Sequence, residues 1–554
     1  SMSSDGIIFA LAILNISYFI QMYKSEIIPN KNIIIYLATG VLIGLIKFPY
    51  IFLLLMLFLI PANKFKTKKF ITMKENICTK LRFPSNWKKL GVTSLMVFLC
   101  ISLFASEPID FDKAFKESVK IEQQIKRTSF PGKVYNIKDF GATTDTPDQP
   151  CHEQINLAIT TCNQEGGGTV VIPKGTFYTG PITMKSNVNL HLEEGATLKF
   201  STDQKLYFPG VITRWEGLDC YNARPLIYAY GESNIAITGK GTIDGQGSNK
   251  AWWPMCGAAH YGWKEGMHSQ KLGSRERLMG YAELKRPIYE RVMTPEDALR
   301  PQLINFYLCN TILIEDVTLL NSPFWVIHPL LCESLIVRGV KIYNRGPNGD
   351  GCDPESCKNV LIENCRFDTG DDCIAIKSGR NEDGRKWNRP SENIIVRNCE
   401  MKNGHGGVVI GSEISGGYRN LYVENCVMDS PQLDRVIRIK TNDCRGGIVE
   451  NVFVRNIKVG QCHEAVLKIN LLYESKENCN RAFPPIVRNV HLKNITCENS
   501  QYGIYAVGLP NKDCVYNISV EDSQFNNVKK GGNRIENVTD ITMKNLQING
   551  KTVK

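Results

Sequence analysis

The chain has 554 residues, of which 43% are hydrophobic and 22% charged, enough apolar side chain for a folded core and too much for a disordered polyampholyte. The formal charge of +11 sits mostly at one end: residues 1–105 hold twelve Lys/Arg against three Asp/Glu, and the remainder is close to neutral. That distribution excludes the usual signature of a nucleic-acid-binding body, a basic face on the folded part.

In chain order, the first element is apolar. Residues 33–46 and 48–60 are hydrophobic runs interrupted by Lys47 and followed by Lys64, Lys66, Lys68 and Lys69. Together they are long enough to span a bilayer, with the basic flank on the cytoplasmic side. A second pattern starts at Met73: Lys74, Lys80, Arg82, Lys88 and Lys89, then the apolar run 90–104, then Ala105-Ser106. This is the order of a secretory signal peptide, although Leu103 is a poor residue three before the cut. Residues 1–72 therefore read as a leader, either a membrane segment or an extension upstream of a start at Met73; 73–106 as the signal peptide; and 107–133 as a linker. The expected localisation is exported, either periplasmic or extracellular at the cell surface, with membrane contact only through the leader.

The folded body is expected from Val134 onward, over 134–554. After Asp139-Phe140-Gly141-Ala142, the stretch 150–163 spaces Ile155, Leu157, Ala158 and Cys162 as a short amphipathic helix, which Gly166-Gly167-Gly168 ends. Short alternating strands follow, such as Thr169-Val170-Val171-Ile172 and Asn187-Val188-Asn189-Leu190. One unit then recurs: Asn234-Ile235-Ala236-Ile237, Asn310-Thr311-Ile312, Asn359-Val360-Leu361-Ile362, Asn393-Ile394-Ile395-Val396, Asn420-Leu421-Tyr422-Val423, Asn451-Val452-Phe453-Val454, Asn489-Val490-His491-Leu492 and Asn517-Ile518-Ser519-Val520. Asn suits a position of positive φ between strands. Short strands repeating without helices between them predict an all-β fold, a right-handed parallel β-helix (a solenoid) with a short N-terminal capping helix. The one long step, from 234 to 310, must hold an insertion, placed at 249–300.

Seventeen of the nineteen cysteines lie beyond residue 105, an odd number. Cys365, Cys399 and Cys426 recur at one place in the repeat, each followed two residues later by Phe367, Met401 or Met428. This predicts stacked core positions rather than bridges. No paired Cys-x-x-Cys with flanking His suggests zinc.

The chemistry collects on successive repeats. Asp350 and Asp371 are 21 residues apart, about one turn, and strand neighbours lie about 4.8 Å apart, so Asp350, Asp371 and Asp372 should meet on one surface. Next come His405 between glycines and then Arg438 and Lys440, which alternate on one strand and share a face. An Asp-Asp pair alone is usually a turn, and a lone His between glycines a turn residue. Their order on consecutive repeats favours a carboxylate site on a groove, and a long groove suits a linear polymer. Paired carboxylates are what acid/base hydrolysis of a glycosidic bond requires.

In this order, Asn348-Gly349-Asp350, Gly370-Asp371-Asp372, Gly404-His405-Gly406 and Arg438-Ile439-Lys440 resemble the four signature motifs of the polygalacturonase family of glycoside hydrolases (family 28). The resemblance runs from about residue 134 to about 550. Gly349 departs from it, since the family commonly has Thr there. The resemblance implies inverting hydrolysis of α-1,4-galacturonosidic bonds in pectin, without a cofactor. It implies Asp371 as general acid, Asp350 and Asp372 holding the attacking water, and His405 supporting the acid. Arg438 and Lys440 would grip the substrate carboxylate. Beside that carry-over, Asn348 next to Asp350 and Tyr473, 33 residues past Lys440, are read as further substrate contacts. Inverting hydrolysis also asks for carboxyl groups about 6.5–9.5 Å apart, and crowding should keep one of them protonated as the acid.

The implied partner is a pectic polysaccharide or oligogalacturonide, bound by a monomer without nucleic acid. Asn321-Ser322-Pro323-Phe324-Trp325 with His328-Pro329, Asp353-Pro354-Glu355-Ser356 and Gly411-Ser412-Glu413 resemble bacterial exo-acting members. In that reading the insertion, with Trp252, Trp253, Tyr261, Trp263, Arg275, Arg277 and Arg286, closes one end of the groove. The alternatives are hydrolysis of another pectic linkage (rhamnogalacturonan or a side chain), a calcium-dependent pectate lyase, and a non-catalytic β-helix adhesin.

Overall fold

The protein is described here by a computed structural model over residues 109–553. The apolar runs at 33–60 and the signal pattern at 73–106 lie outside the described residues. Among the described residues, no helix is long and apolar enough to cross a membrane.

The strands are short because each coil turns three corners, and they pair in parallel with the next coil. Lys358–Glu363, Arg366–Thr369 and Ile374–Ile376 make one coil; Ser391–Arg397, Glu400–Asn403 and Val408–Gly411 make the next; Tyr418–Glu424, Val427–Met428 and Arg435–Lys440 the one after. The first two strands of successive coils belong to a 22-stranded sheet that wraps two faces. The third strands form a four-stranded and a six-stranded sheet, joined through bridges from Cys352 to Ile327 and Ile374. The expected right-handed parallel β-helix is therefore what the chain adopts. Register follows the apolar alternation: Val360, Ile394 and Leu421 pair in line, as do Phe367, Met401 and Met428, all buried. A slip of one residue would turn every one of them outward.

Except at Asn310, where Thr311 takes the positive-φ position instead (φ 57°), the repeated asparagines do what their position predicts. Asn359, Asn393, Asn420, Asn451, Asn489 and Asn517 all have φ between 54° and 65°. Their side-chain amides form a ladder, each Nδ2 donating to the Oδ1 one coil earlier at 2.7–3.0 Å. Asn420→Ala places a Cβ-bearing residue without a local hydrogen bond in the left-handed region and cuts two rungs. It should destabilise by about 1–3 kcal/mol, read as a lower urea midpoint with unchanged m-value, and Asn420→Gly should recover part of the loss.

Cys365, Cys399 and Cys426 are buried in the core as expected, but Cys444 and Cys479 form a disulfide between the loops that follow the third strands Arg435–Lys440 and Ala465–Asn470. The N-terminal helix α2 is His152–Gln164 and caps the first coil with Ile155, Ala158, Ile159 and Cys162; Leu157 instead faces solvent. The insertion leaves the register intact, since Ser233–Gly239 pairs directly with Asn310–Glu315.

Two elements differ from the sequence reading. The stretch 107–133, read as a linker, contains helix α1, Phe111–Gln124, capped by Asp110. Its Phe111 and Phe115 pack edge-on against Phe453 and Tyr422, and Glu122 receives both Arg397 Nη groups at 2.8 and 2.9 Å. The physical cause is the outer side of the face formed by the first strands of the coils, where Leu361, Ile395 and Tyr422 are apolar and need a cover. The second element is an antiparallel hairpin, Val211–Trp215 with Leu218–Asn222, turned by Glu216-Gly217 at positive φ.

Candidate active site

The site is assembled at the corner between the second and third strands of successive coils. Thr369 ends its strand and its hydroxyl donates to the Asp371 carbonyl at 2.7 Å, holding a tight turn that presents Asp371 and Asp372. Gly404, at φ 79°, lies one coil on, and a Cβ there would collide with the Asp371 carbonyl oxygen. Gly349, the departure from the family pattern, has the same kind of reason. A side chain there would stand 2.6 Å from the Gly346 carbonyl oxygen and 2.7 Å from that of Asn344.

The turns bring together the three predicted carboxylates: oxygens of Asp350, Asp371 and Asp372 lie within 4.8 Å of one another. These nearest oxygens come closer than the about 6.5–9.5 Å expected between whole carboxyl groups, because consecutive coils are only one strand spacing apart. Asp350 and Asp372 are buried, whereas Asp371 is partly exposed at the mouth. His405 Nδ1 stands 2.9 Å from Asp371 Oδ1. Lys440 Nζ donates to Asp372 Oδ2 at 2.7 Å and Arg438 Nη1 to Asp372 Oδ1 at 3.4 Å. Both cations lie over the ring of Tyr473, at 5.3 and 5.5 Å from its centroid. Asn348 is turned toward the scaffold, its Oδ1 accepting from buried Arg300 at 2.6 Å.

The electrostatics divide the carboxylates differently from expectation. Burial pushes Asp371 up, but His405, Lys440 and Arg438 together outweigh it and hold its carboxyl below the ordinary carboxylate value. The raised carboxyl is Asp350, through burial first and then the negative charges of Asp353 and Asp371. Asp371 in turn lifts His405 to about 9, so near neutrality the pair is imidazolium and carboxylate.

Beside the carboxylates runs a wall of buried charge, of which the sequence reading named only Glu355 and the insertion's Arg275. Arg214 from the hairpin bonds Asp219 and Glu355 at 2.8 and 2.9 Å. Arg380 leads into helix α4 (Asn381–Trp387) and bonds Glu474 and Glu477 at 2.9 and 3.1 Å. Arg275, on helix α3 (Ser274–Glu283) of the insertion, ties Glu216 to Glu474. The insertion's aromatics divide: Trp252 joins the core, Trp263 Nε1 donates to Met267 within its own loop, and Trp253 packs on Gly346 beside the carboxylate corner with Tyr261 at its edge. Arg277 bonds Asp297 and Arg286 lies over Tyr281, both inside the insertion. Lys377 was also overlooked. The signal was present, because Ile374 and Ile376 point inward and Lys377 therefore outward, in step with Lys440 two coils on.

A solenoid groove carrying three crowded carboxylates, an imidazole and paired cations defines a glycoside hydrolase of the β-helix class. Comparison with known proteins names the branch. The model "Glycosyl hydrolases family 28" matches residues 293–544. The crystal structure of a hyperthermoactive exopolygalacturonase from Thermotoga maritima is 40% identical with a TM-score of 0.75, over 79% of this chain and 97% of that one. A probable polygalacturonase from Vitis vinifera is 28% identical over 70% of this chain and 74% of its own length. An exo-poly-alpha-D-galacturonosidase from Dickeya chrysanthemi is 26% identical over 76% and 75%. The chain belongs to glycosyl hydrolase family 28. A second model, described as "Predicted membrane protein (DUF2142)", matches residues 1–130, of which Phe111–Gln124 form α1 on the solenoid.

Proposed function

We propose that the protein hydrolyses α-1,4-galacturonosidic bonds of homogalacturonan, acting from chain ends. The observation that carries this reading is the 40% identity with an exopolygalacturonase along 97% of that chain. The site supports it: an anionic sugar chain needs fixed cations, and Arg438 and Lys440 stand beside the carboxylates. The wall that joins the hairpin, α3 and α4 supports an obstructed groove, in which chain ends bind and mid-chain segments do not. Digestion of homogalacturonan tests both parts. Mono- or digalacturonate should accumulate from the first minutes with little loss of viscosity; early viscosity collapse would refute the exo part, and an unsaturated, chelator-sensitive product would refute hydrolysis.

In this mechanism the proton resides on His405 in the free enzyme. When the substrate carboxylate draws Arg438 and Lys440 and displaces water, Asp371 loses the charges that depress it, and the proton passes from His405 Nδ1 to Asp371 and on to the leaving oxygen. Asp350 and Asp372 orient a water that attacks the anomeric carbon. The proposed stereochemical outcome is inversion, which rests on family membership. Nearest oxygens within 4.8 Å of one another would also suit a nucleophilic carboxylate, so NMR of the first-formed anomer decides. Because the protonated form of His405 is required and Asp371 raises its pKa to about 9, kcat/KM should fall as pH rises through about 9. His405→Ala should lose that alkaline limb.

Export and action outside the cytoplasm belong to the same reading. It is supported by the signal pattern at 73–106 and by the Cys444–Cys479 disulfide, a bond of oxidising compartments. The residue ranges assigned to leader, signal and catalytic body are proposed with it, α1 being added to the body.

A further inference from the structure

Behind Asp350 lies a second charged layer that the mechanism above does not use. Asp353 is fully buried, at 0% exposure, and neither of its carboxylate oxygens has a hydrogen-bond partner. Lys377, at 3%, is its neighbour: Nζ stands 3.6 Å from Asp353 Oδ1, 3.7 Å from Asp350 Oδ2 and 3.4 Å from Glu413 Oε2. The ring of Trp325 closes the other side, 4.5 Å from the ammonium. Register explains the arrangement. Cys352 pairs with Ile374 and Glu355 with Lys377, so Asp353 lies opposite Ala375, too small to cover it or to bond it.

Charge decides what this layer can be. A carboxylate removed from water costs several kcal/mol unless paired, and one ammonium cannot neutralise three. Glu413 has a second cation, Arg380, at 3.5 Å, and is held below the ordinary carboxylate range. Asp372 has Lys440 and Arg438, and Asp371 has His405. Asp350 and Asp353 are left to share Lys377. Two adjacent carboxyl groups with one cation keep one proton between them, since like charges so close do not both ionise freely.

We propose, resting on the hydrolytic reading above, that Asp353 and Lys377 are positioning residues that hold the Asp350–Asp353 pair singly protonated and ready to accept the proton of the attacking water. In the step, the water O–H bond breaks as its oxygen bonds the anomeric carbon, and the proton enters the pair, which becomes neutral. The glycosidic C–O bond breaks as its oxygen takes the proton from Asp371. Solvent then removes one proton from the pair and returns one to the His405–Asp371 couple, so the cycle closes without a co-reactant. The directions agree: burial, then the neighbouring aspartates, raise Asp350, and burial raises Asp353, while Lys377 opposes both.

The test is the pH profile of kcat/KM on a short oligogalacturonate for the full chain and three variants. Lys377→Met removes the cation and should move the acid limb up by about one pH unit or more. At the acid limb the pair passes from two protons to one, so Asp353 is then uncharged and can share its proton with Asp350; Asp353→Leu removes that sharing and should also move the limb up, and Lys377→Arg should keep it in place. A uniform fall in rate with an unmoved limb, or a downward shift in Asp353→Leu, which would mean that Asp353 carries its own charge beside Asp350, would overturn the proposal. Should Lys377→Met fail to fold by circular dichroism, the direction of the Asp353→Leu shift decides alone. An unvaried enzyme that releases no galacturonate sinks the hydrolytic reading instead, so the two failures are distinct.

Discussion

Replacing Asp371 by Asn should lower kcat on oligogalacturonates by about 10³–10⁴-fold, the scale of a lost general acid, while the Kd measured by calorimetry changes less than about tenfold. Asp371 sits partly exposed at the mouth of the site and bonds only His405 and its own turn, so its amide isostere keeps the local contacts. The amide cannot relay the imidazolium proton. Turnover near the normal rate would remove Asp371 from the mechanism and with it the role given to His405. A parallel loss of binding would mean that the substitution had disturbed the groove.

Lys440→Met should reduce kcat/KM by about 10²–10³-fold. Asp372 is fully buried and Lys440 is its 2.7 Å partner, with Arg438 a longer second one at 3.4 Å. Removing one member of a buried ionic group leaves charge uncompensated, at about 3–5 kcal/mol when no other partner remains, and here Arg438 absorbs part of that. Lys440 is also assigned to the substrate carboxylate, so the variant should lose less on methyl-esterified than on free galacturonate chains. An equal loss on both substrates would confine Lys440 to holding Asp372.

Much of the fold was legible because its signal is periodic. The inward alternation around Ile362, Val396 and Val423, the positive-φ asparagines and the buried Cys365, Cys399 and Cys426 are each set by local backbone geometry. The order of Asp350, Asp371, Asp372, His405, Arg438 and Lys440 was legible for the same reason, since one coil per repeat converts sequence distance into adjacency. The hairpin with Arg214, the Arg380 wall and the Cys444–Cys479 bond were not. They lie in loops of irregular length, whose partners are 35 to 164 residues away and follow no period. The helix α1 was half visible: Phe111, Phe115, Ser118 and Ile121 have helical spacing, but its docking face is formed by strands far along the chain, its Glu122–Arg397 pair spanning 275 residues.

The sequence by itself determined the winding of the chain, the stacked interior and which polar side chains reach the groove, because a repeating coil leaves one register that buries the apolar residues. Only the tertiary structure decided the charges on those side chains. Proton affinity depends on burial and on every neighbouring charge within a few ångströms, and the groups that depress Asp371 or crowd Asp350 come from separate coils. That is why the carboxyl group with the raised proton affinity proved to be Asp350, beside Asp353 and Lys377, and not the predicted acid.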